Sequence, residues 1–308
     1  MITLYPKPNI TQTANNNTPA FARRNKSEKN EQVLMTVQQT RLEAMRILSG
    51  GLSPRLWRML DLLAAGGVLS TRWLPALAAS NMRHWCQLRV FERIALDPTE
   101  IQDHFDAMGI QEKKPTLYML GPVGIEIASI RFDVAPPSGY QGYTAMRVMH
   151  DIAANEVVLR LADGIGEKGW TVDWLGKYES ILLDKNQRPI LEPDALIRYR
   201  KDGRDGGEGA FLLEYHNEDW QTRATTKVEK YEKAFVEGNW REQWEVETFP
   251  PVLAVFLKSI VGTGYQNATR ARKLNCAYYG KTLKAMLEGK LNDWTNVATD
   301  KKEIILPQ

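Results

Sequence analysis

Apolar residues recur at the three- and four-residue spacing of a helix in three successive segments near the start of the chain. The first segment follows Ser53, a residue type that caps helices, and Gly66-Gly67 ends it. The second segment follows Ser70, and the third follows Ser80 and runs through Phe91. These patterns predict three short helices, because each apolar stripe needs a neighbouring surface to cover it.

A loop region, the basic turn Lys113-Lys114 and an apolar strand of residues 117–120 come after these helices. Three helices, a basic turn and a strand predict a winged-helix domain over residues 53–131, whose third helix enters the DNA major groove. The alternative is a helical bundle whose arginines face water. The residues predicted to contact DNA are the polar ones of the third helix and of the turn: Arg83, His84, Gln87, Arg89, Lys113 and Lys114.

The remaining N-terminal segments have weaker patterns. Residues 1–30 are polar and basic without periodicity, which predicts a flexible arm. Residues 31–52 carry apolar residues at mixed helical spacing and predict a linking helix. Residues 132–143 contain Pro136-Pro137 and three aromatic residues, and they are interpreted as a linker between domains.

The segment 144–308 switches between helical and strand periodicity and predicts a second domain of the α/β (α+β) class. Its apolar pattern gives the order helix, three strands, helix, strand, helix. The corresponding segments are Thr144–Asp163, Trp170–Leu183, Ile190–Tyr199, Ala210–Asn217, Thr222–Phe235, Val252–Leu257 and Ala268–Leu287.

The charge distribution sharpens this interpretation. The net charge is only +3, but residues 1–60 and 258–290 each carry a net charge of +6, whereas residues 150–220 carry −6. An acidic centre between basic ends suits a protein that contacts phosphates at its edges and holds a divalent cation at its middle. Solvated surface charge is the alternative explanation.

Composition excludes several classes. Hydrophobic residues make up 43% of the chain, as in a globular protein. The longest apolar run, 252–257, is far shorter than the roughly 18 residues that suggest a membrane span. Because the N-terminus also lacks an apolar secretory segment, we expect a cytoplasmic protein. Cys86 and Cys276 are too few and too far apart for a thiolate zinc site or a disulfide framework.

Three side chains with metal-binding chemistry are predicted to converge in the second domain. Glu214 and His216 lie two residues apart on one strand and therefore share a face, and Asp194 opens the neighbouring strand. A carboxylate within the apolar sequence around Glu214 is unfavourable unless it is paired or bound to a metal. Two carboxylates and substrate oxygens can hold Mg²⁺.

Each of these residues also has a structural interpretation. Asp194 can begin a strand or cap a turn after Pro193. His216 can be a hydrogen-bonded histidine at a strand end, and His150 is interpreted as structural. Lys227 shares its helix with Lys230 and has the spacing of a solvated face.

The order of these motifs resembles known families. Pro193-Asp194 followed by Glu214-Tyr215-His216 resembles the PD-(D/E)xK nuclease superfamily, whose restriction-endonuclease-like core has the αβββαβ order. More closely, the chain resembles the replication-relaxation family of plasmids and other mobile elements, which carries a winged helix in front. The resemblance covers roughly residues 53–290 and depends on these positions: His150, Asn155, Glu179, Pro193-Asp194, Leu213-Glu214, Lys227, Tyr231 and Pro251-Val252-Leu253.

The resemblance implies a catalytic site. It makes Asp194 and Glu214 the carboxylates that bind Mg²⁺ or Mn²⁺, and Glu156 a third, helix-borne metal ligand. His216 occupies the position where the superfamily has its lysine, and histidine replaces the lysine charge only in part. Lys227 can reach in from the following helix, as in some branches of the superfamily; otherwise the site is degenerate.

The function implied is that of a DNA-binding protein of a plasmid or other mobile element with Mg²⁺-dependent DNA endonuclease activity. The alternative is a non-catalytic DNA-binding or adaptor protein of replication, mobilisation or transposition that keeps a degenerate nuclease fold. The expected partner is double-stranded DNA, and no association with a membrane is expected. Other replication, mobilisation or transposition proteins, and a second copy of the chain, are further candidates.

Overall fold

The computed structural model describes residues 35–132, 136, 138–203, 206–217, 221–259, 261–270 and 272–308. Within them the chain is a mixed α/β protein with a three-stranded sheet near the N-terminus and a seven-stranded sheet after it. The predicted basic arm of residues 1–30 and the first residues of the predicted linking helix lie outside the described residues.

Five α-helices and three strands form the described residues of the N-terminal part. The helices are α1 (Val37–Gly50), α2 (Pro54–Gly66), α3 (Ala79–Gln87), α4 (Pro98–Met108) and α5 (Pro122–Phe132), and the strands are β1 (Val68–Ser70), β2 (Phe91–Arg93) and β3 (Leu117–Leu120). The helix predicted after Ser53 is confirmed, since the Ser53 hydroxyl accepts the Leu56 N–H at 3.3 Å. β3 lies between β1 and β2 and is antiparallel to both.

Two predictions in this part are wrong. Ser70 does not cap a second helix: it ends β1, and only a short 3-10 helix, Thr71–Trp73, follows it. The third helix ends at Gln87, because Phe91 pairs with Leu120 in the sheet. Pairing with a strand that lies almost thirty residues later overrides the local helical pattern.

The region that was interpreted as a loop contains α4, and α5 was also missed. Asp97 caps α4 by accepting the Thr99 and Glu100 N–H groups, and Pro98 occupies the first turn. Its apolar face consists of Ile101, Phe105 and Met108. The cap, the proline and the apolar spacing are all local sequence signals of a helix.

The C-terminal part has nine strands and five helices among the described residues. The strands are β4 (Thr171–Gly176), β5 (Leu182–Leu183), β6 (Pro189–Leu191), β7 (Ala195–Lys201), β8 (Gly207–His216), β9 (Val252–Phe256), β10 (Tyr278–Thr282), β11 (Asp293–Asn296) and β12 (Lys302–Ile304). The helices are α6 (Ala145–Gly166), α7 (Gln221–Glu237), α8 (Trp240–Trp244), α9 (Val261–Arg270) and α10 (Leu283–Leu287).

Seven of these strands form one mixed sheet in the order β12-β11-β10-β9-β8-β7-β4. β8, β9 and β10 are parallel to one another, and the other pairings are antiparallel. One face packs on α6 and the N-terminal part, and the other packs on α7 and α9. From α6 to β9 the order is helix, five strands, two helices, strand, so the predicted order of helix, three strands, helix, strand holds only for α6, the large-sheet strands β4, β7 and β8, α7 and β9.

The prediction of a long helix over Ala268–Leu287 is wrong. α9 ends at Arg270, and residues 278–282 form β10, which pairs in parallel with β9. Tyr278 and Lys281 are buried there. The basic composition of this segment concealed a strand, because the partner that makes it a strand lies 26 residues earlier.

The N-terminal part and the large sheet share one hydrophobic core. Asn155 on α6 is buried between them, and its amide donates to the carbonyl oxygens of Gly66 at 2.8 Å and Val68 at 2.7 Å. Gly66 has no room for a side chain, because a Cβ there would lie 2.6 Å from Trp174. Buried hydrogen bonds and close contact therefore fix the N-terminal part against α6.

Lys281 on β10 provides a test of the packing within the large sheet. Burial lowers the pKa of Lys281 to about 8, and its ammonium donates to the Lys290 carbonyl oxygen and lies 4.8 Å from the Trp294 ring centroid. Between that value and the ordinary pKa of 10.5, the unfolded state binds more protons, so the free energy of unfolding increases as pH rises. We expect Lys281→Met to remove this increase. Urea unfolding of both proteins across that pH range measures it, and parallel pH profiles would contradict the burial of the amine.

No helix in the described ranges is both long enough and apolar enough to cross a membrane.

Candidate active site at the ends of strands β7 and β8

The pairing of β7 with β8 brings Asp194 and Glu214 together. Ala195 pairs with Leu213, and the Asp194 N–H donates to the Leu213 carbonyl oxygen at 3.0 Å. Asp194 therefore lies opposite Glu214 across the strand pair, at the distance of cross-strand neighbours. The predicted proximity of these two residues follows from the register.

Glu214 is 1% exposed and has two partners on α7. Lys227 Nζ lies 2.7 Å from its Oε1, and the Tyr231 hydroxyl donates to the same oxygen at 2.8 Å. Lys227 and Tyr231 lie four residues apart, so they share one face of the helix. This arrangement contradicts the interpretation of Lys227 as part of a solvated face, and it explains how a carboxylate is accommodated in an apolar strand.

Asp194 has a different environment. Its Oδ2 accepts the Tyr215 N–H at 2.8 Å and lies 3.7 Å from His150 Nε2, and its side chain is 9% exposed. Burial opposes its ionisation, but the charges of His150 and Lys227 outweigh burial and lower the pKa of Asp194. Asp194 is therefore ionised at neutral pH.

Burial and mutual attraction have opposite effects on the pKa values of Glu214 and Lys227. Burial raises the pKa of Glu214 above its ordinary value, although Lys227 opposes this shift. Burial alone would lower the pKa of Lys227, but the carboxylates of Glu214 and Asp194 outweigh burial and raise it. Lys227 therefore stays a cation between two acids, which is where a developing negative charge would also be stabilised.

His216 does not supply this positive charge. Its Nε2 lies 2.9 Å from the Tyr265 hydroxyl, and its ring stacks on Phe256 with 5.7 Å between the ring centroids. Burial lowers the pKa of His216 to about 3, so the imidazole is neutral at physiological pH. The structure thus gives His216 the hydrogen-bonded role that was its alternative interpretation, and the cation comes from Lys227.

Glu156, the expected third metal ligand, is not part of this cluster. It is 2% exposed and faces the N-terminal part, where the Trp73 indole N–H donates to Oε2 at 2.5 Å. Its Oε1 lies 2.7 Å from Arg160 Nε and 3.4 Å from Arg72. Successive residues of a helix are rotated by about 100°, so residues six positions apart lie on different faces. Glu156 therefore faces the N-terminal part, whereas His150 faces Asp194.

Asp194 is surrounded by His150, which was interpreted as structural, and by three residues that were not predicted from the sequence: Asp151, Tyr140 and Lys177. His150 Nε2 lies 3.1 Å from the Tyr215 carbonyl oxygen, and its Nδ1 lies 3.2 Å from Asp151. Asp151 also accepts from the Tyr140 hydroxyl at 3.0 Å and lies 3.5 Å from Lys177 Nζ. Asp151 is buried in the apolar half of α6, which was a usable signal, whereas nothing in the sequence distinguishes Lys177.

A small cavity of about 10 Å³ opens beside Asp194, at the lower limit of the space that holds one water molecule. Asp151, Lys177 and Tyr140 contribute its polar lining, and Ala65 and Gly66 of α2 close it from the N-terminal part. The acidic cluster is therefore next to the boundary between the two parts of the chain.

The donor set fits a hard divalent cation held by two carboxylates, because carboxylate oxygens are the ligands that Mg²⁺ prefers and water and substrate complete its shell. Asp194 and Glu214 would be those ligands. Within the described residues no three His, Cys, Asp or Glu side chains are grouped to hold a metal ion. A site with three protein ligands is thus not formed, and Glu156 is not available for one.

The residues predicted to contact DNA differ in their surroundings. Arg83, His84 and Gln87 are exposed on α3. Arg89 is half-buried and pairs with Glu92, with Nε 2.8 Å from the carboxylate. Lys113 and Lys114 are exposed in the turn before β3, where the Gln102 side chain accepts the Lys114 N–H at 2.9 Å.

Comparison of the chain with protein-family models, with curated proteins and with solved structures found no match.

Proposed function

We propose that this protein binds DNA and hydrolyses phosphodiester bonds with Mg²⁺ or Mn²⁺ at the cluster of Asp194, Glu214 and Lys227. The observation that carries the proposal is the convergence of two buried acids and a lysine from β7, β8 and α7 at one end of the sheet. The order of α6, the large-sheet strands β4, β7 and β8, α7 and β9 supports a PD-(D/E)xK-like core with a displaced lysine, in line with the replication-relaxation resemblance.

Each residue has a chemical role in this proposal. Asp194 and Glu214 hold the cation, which supplies a more acidic water and stabilises negative charge on the phosphate. Lys227, a cation beside both acids, orients the attacking water or neutralises charge at the scissile phosphate. Tyr231 fixes the Glu214 carboxylate by donating to Oε1.

A plasmid-nicking assay tests this activity. Wild-type protein is incubated with supercoiled plasmid in Mg²⁺ or in Mn²⁺, beside Asp194→Ala and Glu214→Ala, and conversion to open circles is followed on gels. We expect nicking by the wild type and a loss of at least about 100-fold in both variants, because each variant removes a cation ligand. Equal nicking by all three proteins, or nicking by none of them, would reject the proposal that this site is a nuclease.

A second candidate function is non-catalytic DNA binding in replication, mobilisation or transposition. It is favoured by the lack of a three-ligand metal group among the described residues and by the bonds that already occupy Glu214 Oε1. In this case the cluster stabilises the fold. DNA binding without nicking by the wild type in either cation would select this function.

The N-terminal part supports duplex binding by a winged helix. β3 lies between β1 and β2, and α3 exposes Arg83, His84 and Gln87 while its apolar side packs, partly buried, against the core. α4 lies between β2 and β3, where a simple wing would need only a turn. In this proposal α3 is the helix that docks in the major groove.

Charge reversal on α3 tests the docking surface. We expect Arg83→Glu to weaken binding of a DNA duplex several-fold and to reduce its dependence on salt, because fewer phosphate counterions are released. Fluorescence anisotropy at several salt concentrations measures both effects. Arg241→Glu on α8 is the matched control, since Arg241 is also exposed. Equal losses in the two variants would contradict a specific role for α3.

A further inference from the structure

One aromatic side chain stands out on the surface. Of the Phe, Trp and Tyr residues that the structure describes, only Tyr178 is exposed, at 40%. It lies in the turn after β4, directly after Lys177, a residue that lines the cavity beside Asp194. Aromatic residues are enriched in binding interfaces relative to the rest of a protein surface.

Tyr178 belongs to an ordered group. Its hydroxyl lies 3.2 Å from the hydroxyl of Tyr143, and the Arg147 guanidinium lies 3.9 Å from the Tyr143 ring centroid. Tyr140 packs against Tyr143 edge-on, with 5.0 Å between the ring centroids. We call Tyr143, Tyr178 and Arg147 the aromatic edge. Its members hold one another in place, so a ligand would meet a preformed surface.

The aromatic edge borders the proposed catalytic cluster. Lys177 Nζ lies 3.5 Å from Asp151, which contacts His150, and His150 in turn lies 3.7 Å from Asp194. Arg147 is exposed on the first turn of α6, one turn before His150. Two cations therefore accompany the rings on the path to the acids.

Aromatic rings combined with cations suit a particular form of DNA. A ring can stack on a base only when the base is not already stacked between its neighbours, and the cations contact its phosphates. In a continuous duplex both faces of each internal base are covered, so the aromatic edge would have nothing to stack on.

We propose that the aromatic edge binds an unpaired base of single-stranded DNA beside the acidic cluster, with Tyr178 as the stacking platform and with Arg147 and Lys177 as phosphate contacts. This inference rests on the proposed function, because it specifies the substrate of that site as DNA with a single-stranded segment.

Binding of a fluorescein-labelled oligothymidylate of about 20 nucleotides tests the inference, because this length exceeds the footprint of a typical single-strand site. The full chain is titrated in EDTA, so cleavage cannot contribute. We expect Tyr178→Leu to raise the Kd about tenfold, which corresponds to the loss of one stacked base. Tyr178→Phe keeps the ring and should bind within about twofold of wild type.

Arginine variants provide a matched pair. Arg147→Ala should weaken binding several-fold, whereas Arg241→Ala, which removes a guanidinium 4.1 Å from the Trp240 ring centroid on α8, should have no effect. A melting temperature for each variant shows that it is folded. Unchanged affinity in Tyr178→Leu, or an equal loss for a duplex of the same length, would overturn the inference. Tighter binding of oligouridylate would overturn its assignment to DNA.

The oligothymidylate titration and the nicking assay can reject their two proposals independently. A Tyr178 effect on binding without nicking by the wild type would leave the single-strand site in place and reject the nuclease. Nicking that depends on Glu214 but binding that is insensitive to Tyr178 would reject only the single-strand site.

Discussion

Replacing Lys227 with methionine is expected to lower the free energy of unfolding by about 3 kcal/mol, because it leaves a buried carboxylate without its cation. Glu214 is 1% exposed, and Lys227 Nζ lies 2.7 Å from it. Methionine retains most of the apolar volume of the lysine stem, so the loss reflects mainly the charge. Urea unfolding without divalent cations, followed by circular dichroism, measures the effect.

Lys233→Met on the same helix is the control. Lys233 pairs with Glu237 at 3.5 Å, but both side chains are more than half exposed. Exposed pairs of this kind contribute about 0–1 kcal/mol, so the control should unfold nearly like the wild type. Equal destabilisation by the two substitutions would contradict a buried pair at Lys227.

A double variant separates charge from packing. Adding Glu214→Gln to Lys227→Met removes the unpaired charge and keeps the shape of the side chain. We expect the double variant to recover part of the stability that Lys227→Met loses, since replacing both members of a buried pair is milder than breaking it. A double variant no more stable than Lys227→Met would show that the loss comes from the packing of the methionine and not from the unpaired charge.

Replacing Glu156 with alanine is expected to destabilise the protein by a comparable amount, about 3 kcal/mol, because it leaves buried donors without an acceptor. Those donors are the Trp73 indole N–H and the guanidinium of Arg160, with Arg72 3.4 Å away. This result would also confirm that Glu156 joins the N-terminal part to α6. Thermal and urea unfolding measure the loss.

The control is Glu229→Ala, since Glu229 pairs with Arg272 at 2.9 Å on the surface and should matter little. Because one hydrophobic core spans both parts of the chain, wild type and Glu156→Ala should each unfold in a single transition. Two separated transitions in the wild type would contradict the shared core. A loss in Glu156→Ala no larger than the control would contradict the buried network.

The sequence predicted the elements whose signals are local. Ser53 and Thr144 cap helices where the pattern placed them, because a cap depends only on residues within one turn. The apolar run at residues 252–257 gave β9, which is buried on both faces of the sheet. Asp97-Pro98 carried an equally local signal for α4, and that signal was overlooked.

Elements that depend on distant partners were predicted poorly. Phe91 and residues 278–282 were predicted to belong to helices, and they lie in strands because β3 and β9 offer them hydrogen bonds. β11 and β12 at the edge of the large sheet were also missed. Strand formation is a property of the pair, so a single segment specifies it incompletely.

The candidate site divides along the same line. By itself the sequence determined that two acids lie on adjacent strands, because the strands follow one another along the chain and side chains alternate between the two faces of a strand. It also singled out Glu214 as an acid in an apolar strand. Only the tertiary structure decided that Lys227 reaches Glu214, that His216 is neutral beside Tyr265, and that Glu156 faces the N-terminal part. Those three outcomes depend on which faces of α6, α7 and α9 pack on the sheet. Helix orientation is set by the packing of side chains across the whole core, so no single segment specifies it.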